Sequence, residues 1–136
     1  MTTVLATVIG PYGLAIEAAR VRELLPATEA AAEEGGRARR LWRGQALQLI
    51  DLRSLFGCPL VAPAVEVVVG DDHASATLAL VVDRVLGLHT LGGQEWCPIP
   101  HVGAIEALCD SVSAEPIGER LLFRLRATPD FSAVGV

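Results

Sequence analysis

The residues of this chain best suited to chemistry lie toward its C-terminal end. Cys97 and His101 bracket Pro98 and Pro100, and Cys109 follows a short way on. Thiolates and an imidazole are zinc donors, but zinc sites are built from compact ligand pairs converging on one centre, and no second pair is present. His73 beside Asp71 and Asp72 forms a weaker set of the same kind. Ser54 stands close to Asp51, but a hydroxyl nucleophile needs a base within reach, and there is no GxSxG elbow or histidine partner. The Asp51 carboxylate is better suited to accept backbone N–H bonds at the start of a turn over Leu52 to Phe56. Gly92-Gly93 follows an apolar run but belongs to neither phosphate-loop pattern. A small β-barrel enzyme or metal- or ligand-binding protein using the Cys97/His101/Cys109 region therefore stands as the alternative to a protein with no chemistry of its own, no cofactor and no metal.

The elements that would position such residues are short and mostly extended. Val4 to Ile9 is an apolar, β-branched run stopped by Gly10-Pro11. From Leu14 to Leu25 the pattern is ambiguous: Ala15-Ile16 suits a hairpin, whereas Val21, Leu24 and Leu25 have helical spacing. Pro26 ends either element. Residues 27–40 (ATEAAAEEGGRARR) hold no large apolar side chain and read as an exposed loop. Ala46 to Leu52 suits a strand, followed by a helical turn that Gly57 and Pro59 close. Val65–Val69 and Leu78–Val82 are the clearest strands, joined as a hairpin, and Val85–Leu91 adds another. The two prolines of EWCPIPHVG exclude a central strand there. Ala104–Cys109 suits a helical turn, and Val112–Ile117 with Arg120–Arg126 a hairpin about Gly118-Glu119. Many short strands with closely spaced turn signals predict an all-β barrel or sandwich with a few short helices.

Composition bounds the rest. At 136 residues with 51% hydrophobic and 4% aromatic content, a single domain of one or two lobes must build its core from Val, Leu, Ile and Ala. The net charge of −5 argues against nucleic acid as a partner. Every basic residue is Arg, a group suited to bidentate pairing with carboxylates at interfaces. Three cysteines without a CxxC pair, an N-terminus without a basic start and no apolar run approaching the ~20 residues of a membrane span predict a reduced, cytoplasmic protein without direct membrane insertion.

Five motifs in order carry a family resemblance. Arg43-Gly44 is followed, six residues on, by Asp51-Leu52-Arg53-Ser54-Leu55-Phe56-Gly57; then come Leu78 to Val85 with its Val82-Asp83 step, Glu95 to Pro100, and Gly118 to Leu125. Val21-Arg22-Glu23-Leu24 precedes them. This series, spread from about Val4 to Leu125, resembles the CheW-like family. The resemblance implies two small SH3-like β-barrels packed together within one domain over 1–136. It also implies a non-catalytic chemosensory adaptor that binds the cytoplasmic tip of a methyl-accepting chemoreceptor and the regulatory domain of a histidine kinase. The partner-binding residues it suggests are Val21, Glu23, Leu24, Trp42, Arg43 and Gly44. For Arg43 the alternatives are a partner contact or an internal structural arginine; for Trp42, an exposed anchor or a filler of a barrel end; for Val21 and Leu24, groove anchors or core; for Glu23, an interface or a solvated carboxylate. Asp51 and Asp83 are expected to be structural caps. Where the family has strand residues before Arg43, this chain has EEGGRARR. That segment is expected to stay solvated, leaving a barrel strand incomplete and kinase binding weakened.

Overall fold

The computed structural model describes residues 1–27, 32–34, 37–70, 76–99 and 103–134. His101, Asp71, Asp72 and His73 lie outside them. The strands are β1 (Thr2–Ile9), β2 (Tyr12–Glu17), β3 (Val21–Pro26), β4 (Ala32–Glu34), β5 (Arg37–Trp42), β6 (Gln45–Asp51), β7 (Val65–Val69), β8 (Leu78–Val82), β9 (Arg84–Leu91), β10 (Trp96–Pro98), β11 (Cys109–Ser113) and β12 (Leu122–Leu125). Two short helices, α1 (Leu52–Leu55) and α2 (Gly103–Leu108), interrupt them. One six-stranded sheet has the order β10-β11-β12-β2-β1-β9 and the other β3-β7-β8-β6-β5-β4. The chain thus starts the first sheet, crosses at Ala18–Arg20 to build the whole of the second, and returns at Asp83 to complete the first.

Three apolar clusters explain why several strands read as unbroken hydrophobic runs. Between the sheets, Leu5, Ile9, Leu14 and Ile16 meet Ile50, Val67, Val69, Leu80 and Val82. Behind the first sheet, Val4, Ala6, Ala15 and Leu122 pack with Leu86, Trp96 and Ile117. Behind the second, Trp42, Leu47, Val68 and Ala76 pack with Leu25. Strands β1 and β7 therefore bury both faces, and a strand covered on both sides does not alternate. Each fully buried Val, Leu or Ile contributes about 1.5–3 kcal/mol.

The ambiguous Leu14–Leu25 stretch resolves into β2, a single 3-10 turn and β3, with tertiary pairing to β7 overriding the helical spacing. The short β10 lies at a sheet edge, where its Pro98 removes no ladder bond that a central strand would need. The hairpin about Gly118-Glu119 is present, though β11 begins at Cys109, earlier than the pattern indicated.

One expectation is overturned. Within 27–40 the chain forms β4 and most of β5, paired antiparallel with Glu34 opposite Arg37, and Arg39–Trp42 of β5 pair with Gln45–Gln48 of β6. The burial along β5 runs against residue polarity, which is why the segment reads as a loop. Arg40 faces the buried Glu66 and Trp42 is buried, while Leu41 is 65% exposed. The inward face is made by paired charges and an indole rather than by aliphatic side chains.

A buried arginine joins the two sheets. Arg53 on α1 forms a fork on Asp51, with Nε 2.9 Å from Oδ1 and Nη2 2.8 Å from Oδ2. Its Nη1 donates to the Val61 carbonyl at 2.8 Å and lies 3.7 Å from Asp83 Oδ1, an ion contact rather than a hydrogen bond. Asp83 Oδ2 accepts the Gly10 N–H of the β1–β2 turn at 2.6 Å, and the Asp83 N–H donates to Val8. Asp51 also caps α1 through the Arg53 N–H, as expected. Gly10 has φ +56°, and a Cβ there would stand 2.6 Å from Cys58 Sγ.

Removing the Arg53 guanidinium leaves two carboxylates, each about one-quarter exposed, without their cation. Arg53→Ala should lower stability by about 2–4 kcal/mol, and Arg53→Lys should recover only part, since an ammonium cannot form the fork. Urea unfolding midpoints check this.

Candidate functional site

The Arg43-Gly44 pair is the tip of the β5–β6 hairpin. Trp42 pairs with Gln45, and the two residues between them have φ +47° and +79°, the positive pair of a type I′ turn. Gly44 takes this conformation freely, whereas Arg43 adopts a backbone that costs an ordinary residue roughly 1–2 kcal/mol. Arg43 is exposed, so the internal structural reading does not hold. Its guanidinium lies over the Trp42 ring, 4.6 Å from the centroid, a cation–π geometry contributing about 0.5–1 kcal/mol at an exposed site.

Trp42 is 8% exposed and fills the end of the second sheet's cluster. Its Nε1–H donates to Glu23 Oε2 at 2.6 Å. Glu23 stands on β3 and Trp42 on β5, strands separated in the sheet by β7, β8 and β6. Their contact requires the sheet to curl upon itself, so this single bond marks a barrel seam. Glu23 is neither freely solvated nor turned wholly outward; the indole holds it.

A second polar contact lies in the same interior. Arg40 Nε on β5 is 3.2 Å from Glu66 Oε2 on β7, whose side chain is 1% exposed. The geometry is not that of a hydrogen bond, and among the described residues both Glu66 oxygens are buried without a donor. Burial pushes the Glu66 carboxyl up, opposed by Arg40.

The structure brings together Glu23, Trp42, Arg43 and Gly44, with exposed Leu41 beside them on β5 and Ala46 opposite it on β6. Leu24 is 43% exposed on the outward side of β3, and Val21 packs against the core between the sheets. The neighbours of Val21, Arg20 and Arg22, line a groove of about 640 Å³ with Glu17, Leu78, Thr128 and Phe131. Arg20 donates to the Arg126 carbonyl at 3.1 Å, and Arg22 to that of Ala19 at 2.7 Å. Sequence reasoning missed this groove because its walls come from three separated segments.

The cysteine region is not assembled as a site in the described residues. Cys109 is fully buried in the core between the sheets, and its thiol is pushed up to about 12 by burial and by Asp110. Cys97 is half-buried on β10, paired with Val112. Among the described residues no group of three His, Cys, Asp or Glu side chains is placed to hold a metal, and no helix is long and apolar enough to cross a membrane.

Two β-sheet subdomains closed on a shared core, joined through buried polar contacts at Arg53 and Glu23, define the fold class. The CheW-like domain family matches residues 3–107, and the chain belongs to that family. It is a CheW-like scaffolding adaptor of chemotaxis, a class that is not catalytic. Among solved structures, the scaffolding protein TtCheW from Thermoanaerobacter tengcongensis has the same fold, with a TM-score of 0.71 at 15% identity over 92% of this chain and 88% of that one. A search of curated proteins finds no match.

Two outcomes follow from these environments. A raised folded-state carboxyl means that Glu66 favours folding in its protonated form. Its contribution is present below the unfolded value, about 4.5, and is lost as pH rises through the folded one. Glu66→Gln should therefore flatten the fall in stability with rising pH above this point, read by urea unfolding across pH 4 to 8. Separately, a thiol reagent at pH 8 should modify at most two of the three cysteines in the folded protein, with Cys109 reacting only in denaturant.

Proposed function

We propose that this chain couples the cytoplasmic tip of a methyl-accepting chemoreceptor to the regulatory domain of a histidine kinase in the cytoplasm, working as one unit from both sheets. The observation that carries the reading is the Arg43-Gly44 tip. It projects an exposed arginine at the place where the family resemblance puts a partner contact, on a hairpin held by Trp42 and by the Arg40–Glu66 pair. A pre-organised side chain loses little freedom on binding, which favours affinity. Gly44 and Glu23 belong to the same end of the barrel as Arg43, whereas Leu24 points to the opposite, outward side of β3 and Val21 packs in the core between the sheets. The groove lined by Arg20, Arg22 and Phe131 offers a second concave contact for a helical partner.

A barrel lacking a strand before Arg43 would bind the kinase domain weakly. With Arg39–Trp42 of β5 paired to β6 up to the Arg43-Gly44 turn, that strand is present, which supports retained kinase binding. The alternative built on Cys97, His101 and Cys109 gains no support from a Cys109 walled into the core.

Titration calorimetry against a receptor-tip fragment and the kinase regulatory domain from the same organism tests the proposal. Both should bind the wild type. Arg43→Glu should weaken the receptor contact about tenfold, or ~1.4 kcal/mol, while the domain stays folded and loses no more than the ~0.5–1 kcal/mol of the cation–π contact. Wild-type protein that binds neither fragment would refute the coupling role.

A further inference from the structure

Glu23 and Arg43 are the two charged members of the proposed face, and they are not equivalent. The Glu23 carboxylate accepts the Trp42 indole N–H at 2.6 Å, whereas Arg43 stands exposed on the ring of the same tryptophan. One side chain thus acts on both charges in opposite senses. Its N–H edge ties the carboxylate into the barrel seam, and its face supports the cation at the hairpin tip. Leu41, 65% exposed, and exposed Ala46 stand opposite each other on the outer side of β5 and β6, one residue pair from the Trp42–Gln45 pair that closes the hairpin, and form its apolar margin.

We propose that Trp42 is the residue that sets the charge preference of this face: by withdrawing Glu23 and carrying Arg43 it makes the surface cationic beside an apolar strip. The complementary partner segment bears a carboxylate next to an apolar side chain, an arrangement that neighbouring turns of an amphipathic helix supply. The inference deepens the receptor-binding reading and rests on it for the partner's identity. The withdrawal of Glu23 rests only on the geometry of this chain. Trp42 is a positioning residue here, acting through the two charges rather than as the contact itself.

Two measurements on the full chain test it. In the first, the Trp42 indole N–H is followed by NMR exchange with water, assigned by its loss in Trp42→Phe. It should be protected in the wild type and exchange about tenfold faster in Glu23→Ala; rapid exchange in the wild type would overturn the proposal. In the second, the receptor-tip fragment is the probe. Trp42→Phe keeps a ring beneath Arg43 but cannot donate to Glu23, so it should bind about tenfold more weakly and with a flatter dependence on NaCl. Adding Glu23→Gln to Trp42→Phe should restore affinity, which a merely structural loss would not allow. Wild-type affinity in Trp42→Phe, or no recovery in the double variant, would refute the charge-setting role. Failure of the wild type to bind the fragment would instead count against the receptor reading, leaving indole exchange to decide the pairing.

Discussion

The arrangement of the two sheets depends on one buried guanidinium. Arg53 is 7% exposed, and its donors reach Asp51, the Val61 carbonyl and Asp83, which in turn holds the Gly10 amide of the opposite sheet. These groups lie at the end of β6, on α1, in the loop before β7, at the return crossing and in the β1–β2 turn. An apolar contact in the same place would be non-directional. A planar fork on Asp51, with Asp83 in ion contact at 3.7 Å, accepts one geometry, and removing any of the three charged groups leaves a charge without its partner. Such a joint adds less net stability than its short distances suggest, because two carboxylates and a cation have been drawn partly out of water. What it supplies is a fixed relation between the sheets, on which any surface spanning them relies.

Polar groups serve a comparable end inside the second barrel. The Glu23–Trp42 bond and the Arg40–Glu66 contact tie β5 to β3 and β7, strands it does not pair with in the sheet. Glu66 is an expensive member, being fully buried with little to compensate its charge. Its cost is borne by a core of Val, Leu and Ile on both faces of the central strands. The return is a hairpin whose tip is held in place instead of fraying, as a short exposed hairpin otherwise would.

A scaffold of this kind acts through surfaces and needs no reactive centre. Of the side chains that looked most reactive, Cys109 is absorbed into the core, Cys97 is half-buried on the edge strand β10, and His101 lies outside the described residues. The side chains with interaction potential are a cation on a strained turn, an indole beneath it and an apolar margin, all placed by strand pairing. Fold alone would not assign a function; the family match and the rigid presentation of Arg43 together narrow it.

From residue patterns alone, the strand-rich class, the cap at Asp51, the hairpin about Gly118-Glu119 and the exclusion of the proline-bearing segment from a central strand were legible, because each rests on local backbone preferences. The β-branched runs at Val4–Ile9 and Val65–Val69 were legible as strands for the same reason. The character of β5 was not, since its burial pattern places Arg40 and Trp42 inward and Leu41 outward, and only partners on β3 and β7 make that orientation favourable. Nor could spacing show that Arg53 bridges to Asp83, or that Glu23 is held by Trp42 from across the barrel. Those contacts join residues distant in the chain. Local propensity determines which segments extend and where they turn; which charges meet is decided only when the sheets curl and pack.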